Sequence, residues 1–457
     1  YTPPVAILDV VQKRGSFTAT GVKKPELRAT PTFRAVGLGP FDEVEIRQRP
    51  VTVLIGKNSV GKSLLMTAMW LFAYPPPGSI SVNDDLVKKF DERRDEATLR
   101  ELVINAAENY LKAMAKGIYE ASHQITALNG SRLELTSASG RSLEIEITEN
   151  GVSIRKDDIT PLFSQVEVVK DGPKFRVTLG DNVVMVTDHL ADLIADTIRF
   201  VHLVYYHELY PWHGLYGPPL FAPYFLVDGR SGLIKVAKPW ARFEIGVVDS
   251  EFLRSYYMLS ELVRRLVPSD AFQNFAKELG VEKVEAVVEG GYYRLYVELW
   301  DGVKMPIEKA PSGVREALLP AIALETIRDN IMFIEEPEAH LHPAAIVMFV
   351  QLLTHAVNTR GAWVVLSTHS DFLLSKLSNL VEASTLDEER LKRLGLAKEL
   401  ALPRDKIAVY LVRADRERKR SVVEEVPVDE EGIAELEFSK VSEELLNESS
   451  YISLLKS

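Results

Sequence analysis

The chain has 457 residues, of which 46% are apolar and 26% charged, enough material for a large core or about three domains and too few charges for disorder. A net charge of -11 gives no global basic field, so any contact with nucleic acid or an anionic membrane must be local. Cysteine is absent, which excludes disulfides, thiolate nucleophiles and cysteine-ligated zinc or iron–sulfur sites. Zero cysteine with six glutamines resembles the avoidance of thermolabile side chains in heat-adapted proteins. No apolar run approaches the roughly 18 residues that cross a bilayer. The opening Tyr1-Thr2-Pro3-Pro4 lacks the pattern of a signal peptide, and the expectation is a cytoplasmic protein without membrane contact.

In chain order, Val51-Thr52-Val53-Leu54-Ile55 reads as a strand buried on both faces, because it is short, β-branched and bounded by Pro50 and Gly56. A helix follows over 62–74 and stops at Pro75-Pro76-Pro77, where the chain cannot continue helically. Between them, Gly56-Lys57-Asn58-Ser59-Val60-Gly61-Lys62-Ser63 fits G-x-x-x-x-G-K-[ST] in the strand–loop–helix setting that phosphate binding requires. Glycines let backbone amides curl around phosphate oxygens, and the helix N-terminus adds its positive dipole end. This predicts an ATP site on residues 56–63 and the adjoining Leu64. Lys62, expected to face solvent, would neutralise the β/γ phosphates, and Ser63 would ligate Mg²⁺.

From Leu99 to Ile118 apolar residues recur at three and four, the period of an amphipathic helix. Residues 131–186 alternate and carry turn signals such as Asn150-Gly151 and Asp171-Gly172, which predicts a largely antiparallel β insertion. Helical periodicity returns near 188–208 and at 249–279, separated by an aromatic- and proline-rich stretch at 205–224 that fits no simple period. Strands resume at 283–300, and two apolar strands at 331–334 and 363–367 alternate with apolar helices. The expected fold class is α/β, with a parallel P-loop core interrupted by a mixed insertion.

Three further motifs carry chemistry. Ile331-Met332-Phe333-Ile334 delivers Glu335 and Glu336 at its C-terminal end, where open α/β sheets bind ligands. Glu335 is expected to serve the metal and Glu336 to polarise the attacking water. Ser312 and Gly313 open an apolar helix; taken alone the serine reads as an ordinary N-cap, but its position 23 residues before Glu335 favours a contact with phosphate. Val364-Val365-Leu366-Ser367-Thr368 ends in His369, placed to hydrogen-bond a γ-phosphate or its water.

Taken in order, these elements resemble an ABC-type ATPase head, with Walker A, a signature loop, Walker B and a switch histidine. The resemblance is strongest to the branch holding SMC proteins, RecF and the OLD-like ATPases. Glu335-Glu336-Pro337-Glu338-Ala339-His340-Leu341-His342-Pro343 looks like that group's extended Walker B and D-loop, and Thr368-His369-Ser370 like its switch. Phe33-Arg34-Ala35-Val36-Gly37 resembles its opening strand, which implies Arg34 near the nucleotide. The match covers about 30–75 and 300–380, and is weak around Asp228-Gly229-Arg230-Ser231-Gly232-Leu233. Glu335 stands where ABC proteins usually have aspartate, Pro-Ser-Gly-Val departs from the transporter signature, and no Q-loop glutamine is placed.

The resemblance implies a nucleotide-sandwich homodimer, with Ser312 and Gly313 completing the opposite subunit's site, that switches a partner such as a nuclease in DNA repair or defence against phage. A weakly hydrolysing, nucleotide-stabilised scaffold is the other reading. An intrinsic Toprim nuclease is not expected, because no Asp-x-Asp pair follows Ser370. His340 and His342 could suggest a metal, but a D-loop role facing the partner subunit is preferred. The expected division is an ATPase part over 1–80, an insertion over 81–300, a second ATPase part over 301–400 and a hairpin-and-helix appendage over 401–457. Arg413, Arg416, Arg418, Lys419 and Arg420 would crown that hairpin, either as a solvated turn or as a contact to DNA phosphates.

Overall fold

The computed structural model describes residues 30–73, 82–179, 183–187, 190–209, 223–236 and 246–434. The chain start, residues 210–222 of the aromatic stretch and the helix expected at the C-terminal end lie outside these. A hairpin of β1 (Thr32–Leu38) and β2 (Phe41–Arg47) leads to β3 (Val51–Ile55), in which every residue is buried. After the glycine loop comes α1 (Lys62–Ala73), then α2 (Asp84–Arg93) and the long α3 (Glu96–Ser122). Asp95 caps α3 by accepting the Thr98 amide, and Leu99, Leu102, Val103, Ala106 and Tyr110 form its buried stripe.

Two antiparallel groups follow, β4 (Arg132–Thr136), β5 (Ser142–Thr148) and β6 (Gly151–Asp157), then β7 (Glu167–Asp171), β8 (Lys174–Leu179) and β9 (Val183–Thr187). Next are α4 (Leu190–Leu209), β10 (Tyr224–Leu226), α5 (Arg230–Val236), α6 (Val247–Leu262) and α7 (Asp270–Glu278). A small sheet of β11 (Val281–Glu289), β12 (Tyr292–Leu299) and β13 (Lys304–Pro306) precedes α8 (Ser312–Thr326). The chain continues through β14 (Ile331–Glu335), α9 (Pro343–Arg360), β15 (Trp363–Thr368), α10 (Asp371–Ala383) and α11 (Glu388–Arg393). It closes with β16 (Ile407–Asp415) and β17 (Arg420–Val426).

Eleven of these strands form one sheet in the order β10-β14-β15-β3-β16-β17-β2-β1-β4-β5-β6. The first five run parallel, and beyond β16 the pairing is mainly antiparallel. Strands β3, β14 and β15 are buried throughout, as parallel strands covered on both faces must be. On one face α1 packs on β14 and β15, with Trp70 against Phe225 of β10 at 5.2 Å between ring centroids. Among the described residues no helix is long and apolar enough to cross a membrane.

The hairpin expected as a C-terminal appendage lies inside the sheet instead. Strand β16 runs parallel beside β3, from Ile407 opposite Val51 to Leu411 opposite Ile55. Its residues Ile407, Ala408, Val409 and Tyr410 are all buried, so the run is a central strand rather than an alternating edge hairpin. This placement explains the first glycine of the phosphate loop: Gly56 has φ +144°, and a Cβ there would press into the Val412 carbonyl of β16. Gly56→Ala should therefore destabilise the fold by roughly 2 kcal/mol or more, read as a lower urea midpoint.

Candidate functional site

Register assembles the site. Glu335 pairs opposite Ser367, and Thr368 opposite Ile55, so β14, β15 and β3 end at one edge of the sheet. Leu226 of β10 pairs with Ile334, which brings Val227 and Asp228 level with Glu335 and Glu336. The structure thus gathers the 56–63 loop, both glutamates and His369. It also adds Asp228, whose backbone amide donates to Glu335 Oε2 at 3.0 Å.

Lys57, Asn58, Ser59 and Ser63 are exposed, whereas Val60 and Lys62 are buried and Leu64 is half-buried. Ser59 takes a left-handed φ of +65°, and Gly61 at φ +99° leaves no room for a side chain against Phe41. Lys62 does not face solvent as expected. It is 6% exposed, because its ammonium turns back into the loop and donates to the Gly56 and Lys57 carbonyls at 2.9 and 3.0 Å. Burial holds its pKa below the ordinary lysine value, while the charges of Glu336, Glu338 and Glu335 oppose that shift.

The third contact of Lys62 Nζ is His369 Nε2 at 3.0 Å. An ammonium can only donate, so in this contact Nε2 accepts and the ring carries its proton on Nδ1. Burial lowers the His369 pKa, and the Lys62 charge lowers it further against Glu338. Glu336 Oε1 lies 3.3 Å from the same Nε2, a contact that is an ion pair only when the ring is protonated. Glu336 is itself pushed up from the ordinary carboxylate value, first by burial and then by Asp228. Lysine, histidine and glutamate therefore meet around one nitrogen, with both titratable partners of the lysine held toward their neutral forms.

Backbone geometry aims these groups. Glu336 has a left-handed φ of +42°, and its amide donates to the Ser367 carbonyl at 3.0 Å, locking the end of β14 to β15. Glu338 accepts from the Thr368 hydroxyl at 2.6 Å and the His369 amide at 2.8 Å, so it fixes the turn that carries the histidine. Behind the acids sits Arg230, fully buried, which donates to main-chain carbonyls of β10, β14 and α8 and faces Glu316. Burial lowers its pKa, with Glu316 the largest opposing charge.

Sequence reasoning noticed the Asp228-Gly229-Arg230 stretch without assigning it a role. The signal was a pair of opposite charges around Gly229, just beyond a three-residue apolar strand too short for periodicity to identify.

Ser312 is the first helical residue of α8 and not its N-cap; Pro311 holds that position, without a side-chain hydrogen bond. Ser312 is exposed, and Gly313 lies against the D-loop turn, where a Cβ would meet the His340 carbonyl at 2.9 Å. His342 caps α9 by accepting the Ala344 amide. Arg34 donates to Glu43 of β2 and faces Glu134 of β4 at 3.7 Å, so its partners are carboxylates of the antiparallel arm. At the tip of the β16–β17 hairpin, Arg416, Arg418, Lys419 and Arg420 are exposed. Three nearby arginines already face acids: Arg413 meets Glu424, Arg418 meets Asp415, and Arg420 meets Asp42.

A parallel core whose strand–loop–helix carries G-x-x-x-x-G-K-S, with two glutamates and a histidine on neighbouring strand ends, is a nucleotide-binding core of the P-loop kind. Residues 256–374, which hold Ser312, Glu335, Glu336 and His369, match the family model for the AAA ATPase domain. No curated protein matches the chain. Among solved structures, it is similar to an Smc head bound to the C-winged helix domain of ScpA, at 12% identity and TM-score 0.41, over 88% of this chain and 98% of that one. It is also similar to the SMC head domain from Thermotoga maritima, at 11% identity and TM-score 0.35, over 88% and 100%. A third is an Smc head with an extended coiled coil bound to the C-terminal domain of ScpA derived from Pyrococcus furiosus, at 12% identity and TM-score 0.37, over 92% and 100%.

Breaking one partner of a buried ion pair leaves an uncompensated charge and typically costs about 3–5 kcal/mol. Glu316→Ala should lower stability by that order in urea unfolding, whereas alanine at the exposed Glu417 should change it by less than about 0.5 kcal/mol.

Proposed function

We propose that the chain binds and hydrolyses Mg-ATP and works as a switch, closing into a homodimer with two nucleotides held between the heads. The observation that carries this reading is the meeting of Lys62, Glu336 and His369 around one nitrogen at the mouth of the phosphate loop. Lys62 has its donors aimed along the loop and would transfer them to phosphate oxygens. Glu336, raised toward neutrality, is suited to take a proton from water at Oε1, and His369 can orient that water or a phosphate oxygen through Nε2.

Oxygen donors suit Mg²⁺, and Ser63 and Glu335 would hold it, with the Asp228 amide fixing Glu335 through Oε2. When bound, the ion supplies charge neutralisation on the phosphates. Arg34, with its acidic partners, would have to exchange them to approach a nucleotide.

Ser312 and Gly313 stand exposed or half-exposed at the start of α8, with the first amides of that helix free of intrahelical acceptors. A second copy placed head to tail would lay this helix start on the partner's phosphates, and two-fold symmetry completes both sites at once. Glu336→Gln keeps shape while removing the base, a loss that typically slows turnover by about 10²–10⁴-fold. With Mg-ATP that variant should run as a dimer in light scattering, and adding Ser312→Arg should return it to monomer. A dimer that forms without nucleotide, or survives Ser312→Arg, would contradict the sandwich.

The pH dependence follows from the same cluster. Turnover needs Glu336 ionised, so its acid limb should lie above the ordinary carboxylate value of 4.5. Asp228 is one of the charges that raise Glu336; Asp228→Asn removes it, and the acid limb should move to lower pH. A pH–rate profile that stays in place would show that Glu336 does not govern the limb.

By resemblance to the OLD-like group, the output would pass to an effector such as a nuclease in DNA repair or defence, in the cytoplasm. Any DNA contact would use Arg416, Arg418, Lys419 and Arg420. Steady-state turnover with and without DNA separates this switch from a weakly hydrolysing scaffold.

A further inference from the structure

Resting on the hydrolytic reading above, we propose that Arg230 is the positioning residue that sets the angle of Glu336 and ties it to the first turn of α8. Its guanidinium reaches five carbonyl oxygens from a side chain that is 0% exposed. Nε donates to Glu316 O at 2.9 Å. Nη1 reaches Leu226 O at 3.2 Å, Val227 O at 2.9 Å and Glu335 O at 2.6 Å, and Nη2 donates to Glu336 O at 3.1 Å. Two of these oxygens close the end of β10, two flank the bend at Glu336, and the fifth belongs to α8.

The bend needs such a clamp. A glutamate at φ +42° occupies a strained region that persists only where its surroundings over-determine it. The Ser367 carbonyl holds the amide side of Glu336 and Arg230 holds the carbonyl side. Loss of either hold lets the backbone relax and swings the carboxylate away from His369, now 3.3 Å distant. No other side chain offers five N–H donors in one rigid plane, so lysine preserves the charge without preserving the clamp.

The same clamp reaches the dimer-facing helix. Glu316 lies one turn after Ser312 and meets Arg230 with its main-chain oxygen and with its carboxylate, 3.3 Å from Nε. From the other side, Gly313 faces the turn four residues past Glu336, where a Cβ would come within 2.9 Å of the His340 carbonyl. A load on the start of α8 would thus reach the bend through Arg230, which bonds both Glu316 and the Glu336 carbonyl.

The test uses the full chain with single-turnover hydrolysis, nucleotide affinity and a melting curve for Arg230→Lys and Glu316→Gln, each with Glu336 intact and with Glu336→Gln. Misplacing a reacting group by about 1 Å costs on the order of 100-fold. Arg230→Lys should slow turnover by about that factor and Glu316→Gln by about 10-fold, with nucleotide affinity held within about threefold. Because both act through Glu336, neither should slow the Glu336→Gln enzyme further.

Unchanged turnover, equal losses in both backgrounds, or affinity that falls with turnover would each overturn the inference. If Arg230→Lys does not melt cooperatively, Glu316→Gln alone decides by the same criteria. Absence of Mg-ATP turnover in the unaltered chain would remove the hydrolytic reading and this inference together. Normal turnover in that chain with no effect of either variant would remove this inference alone.

Discussion

Parallel register is the constraint on which the rest depends. Four strands from distant parts of the chain pair so that their C-terminal ends stop together, and every chemically active group leaves the sheet at that edge. A one-residue slip of β14 would turn Glu335 and Glu336 to the opposite faces and break both at once. The strands resist such a slip because their apolar residues are buried on both sides, and because β16 closes the far side of β3.

Electrostatics then divides the labour at the edge. Three glutamates act on a single buried lysine, Asp228 acts on Glu336, and burial opposes the charged forms of Lys62 and Glu336. Lys62 remains in the loop because it has carbonyl and imidazole acceptors there, so the cation proposed to meet the phosphates is held in the loop before any ligand arrives. Preorganised donors of this kind lose little in reorganisation when charge develops opposite them. Behind them, Arg230 supplies the one cation the main-chain bend needs.

Much of this was legible from residues alone. The strand–loop–helix at 51–73 and the apolar strands at 331 and 363 announce themselves by continuous β-branched burial and by glycine, and the structure places them where the pattern says. The long helix over Glu96–Ser122 and the antiparallel strands from Arg132 onward follow from period and turn chemistry in the same way. What escaped is non-local. Ile407 to Val412 reads locally as one alternating strand of a hairpin, yet its neighbour in the sheet is more than three hundred residues earlier, which no local pattern encodes. Lys62 was expected to face solvent, whereas it finds acceptors in the loop's own carbonyls and in His369. Arg230 and Glu338 act through contacts across the sheet edge, and their local sequence carries no period that would mark them.

The most direct test of the account is equilibrium binding of Mg-ATP to the full chain and to its Lys62→Ala variant, with a melting curve as control for the fold. If the loop and its buried ammonium form a phosphate site, the unaltered chain should bind nucleotide. The variant should then lose at least about 100-fold in affinity, roughly 2.7 kcal/mol, while melting as a single cooperative transition. Equal affinity in the two proteins would contradict the account, because the cation at the centre of the site would then have no part in holding the phosphates.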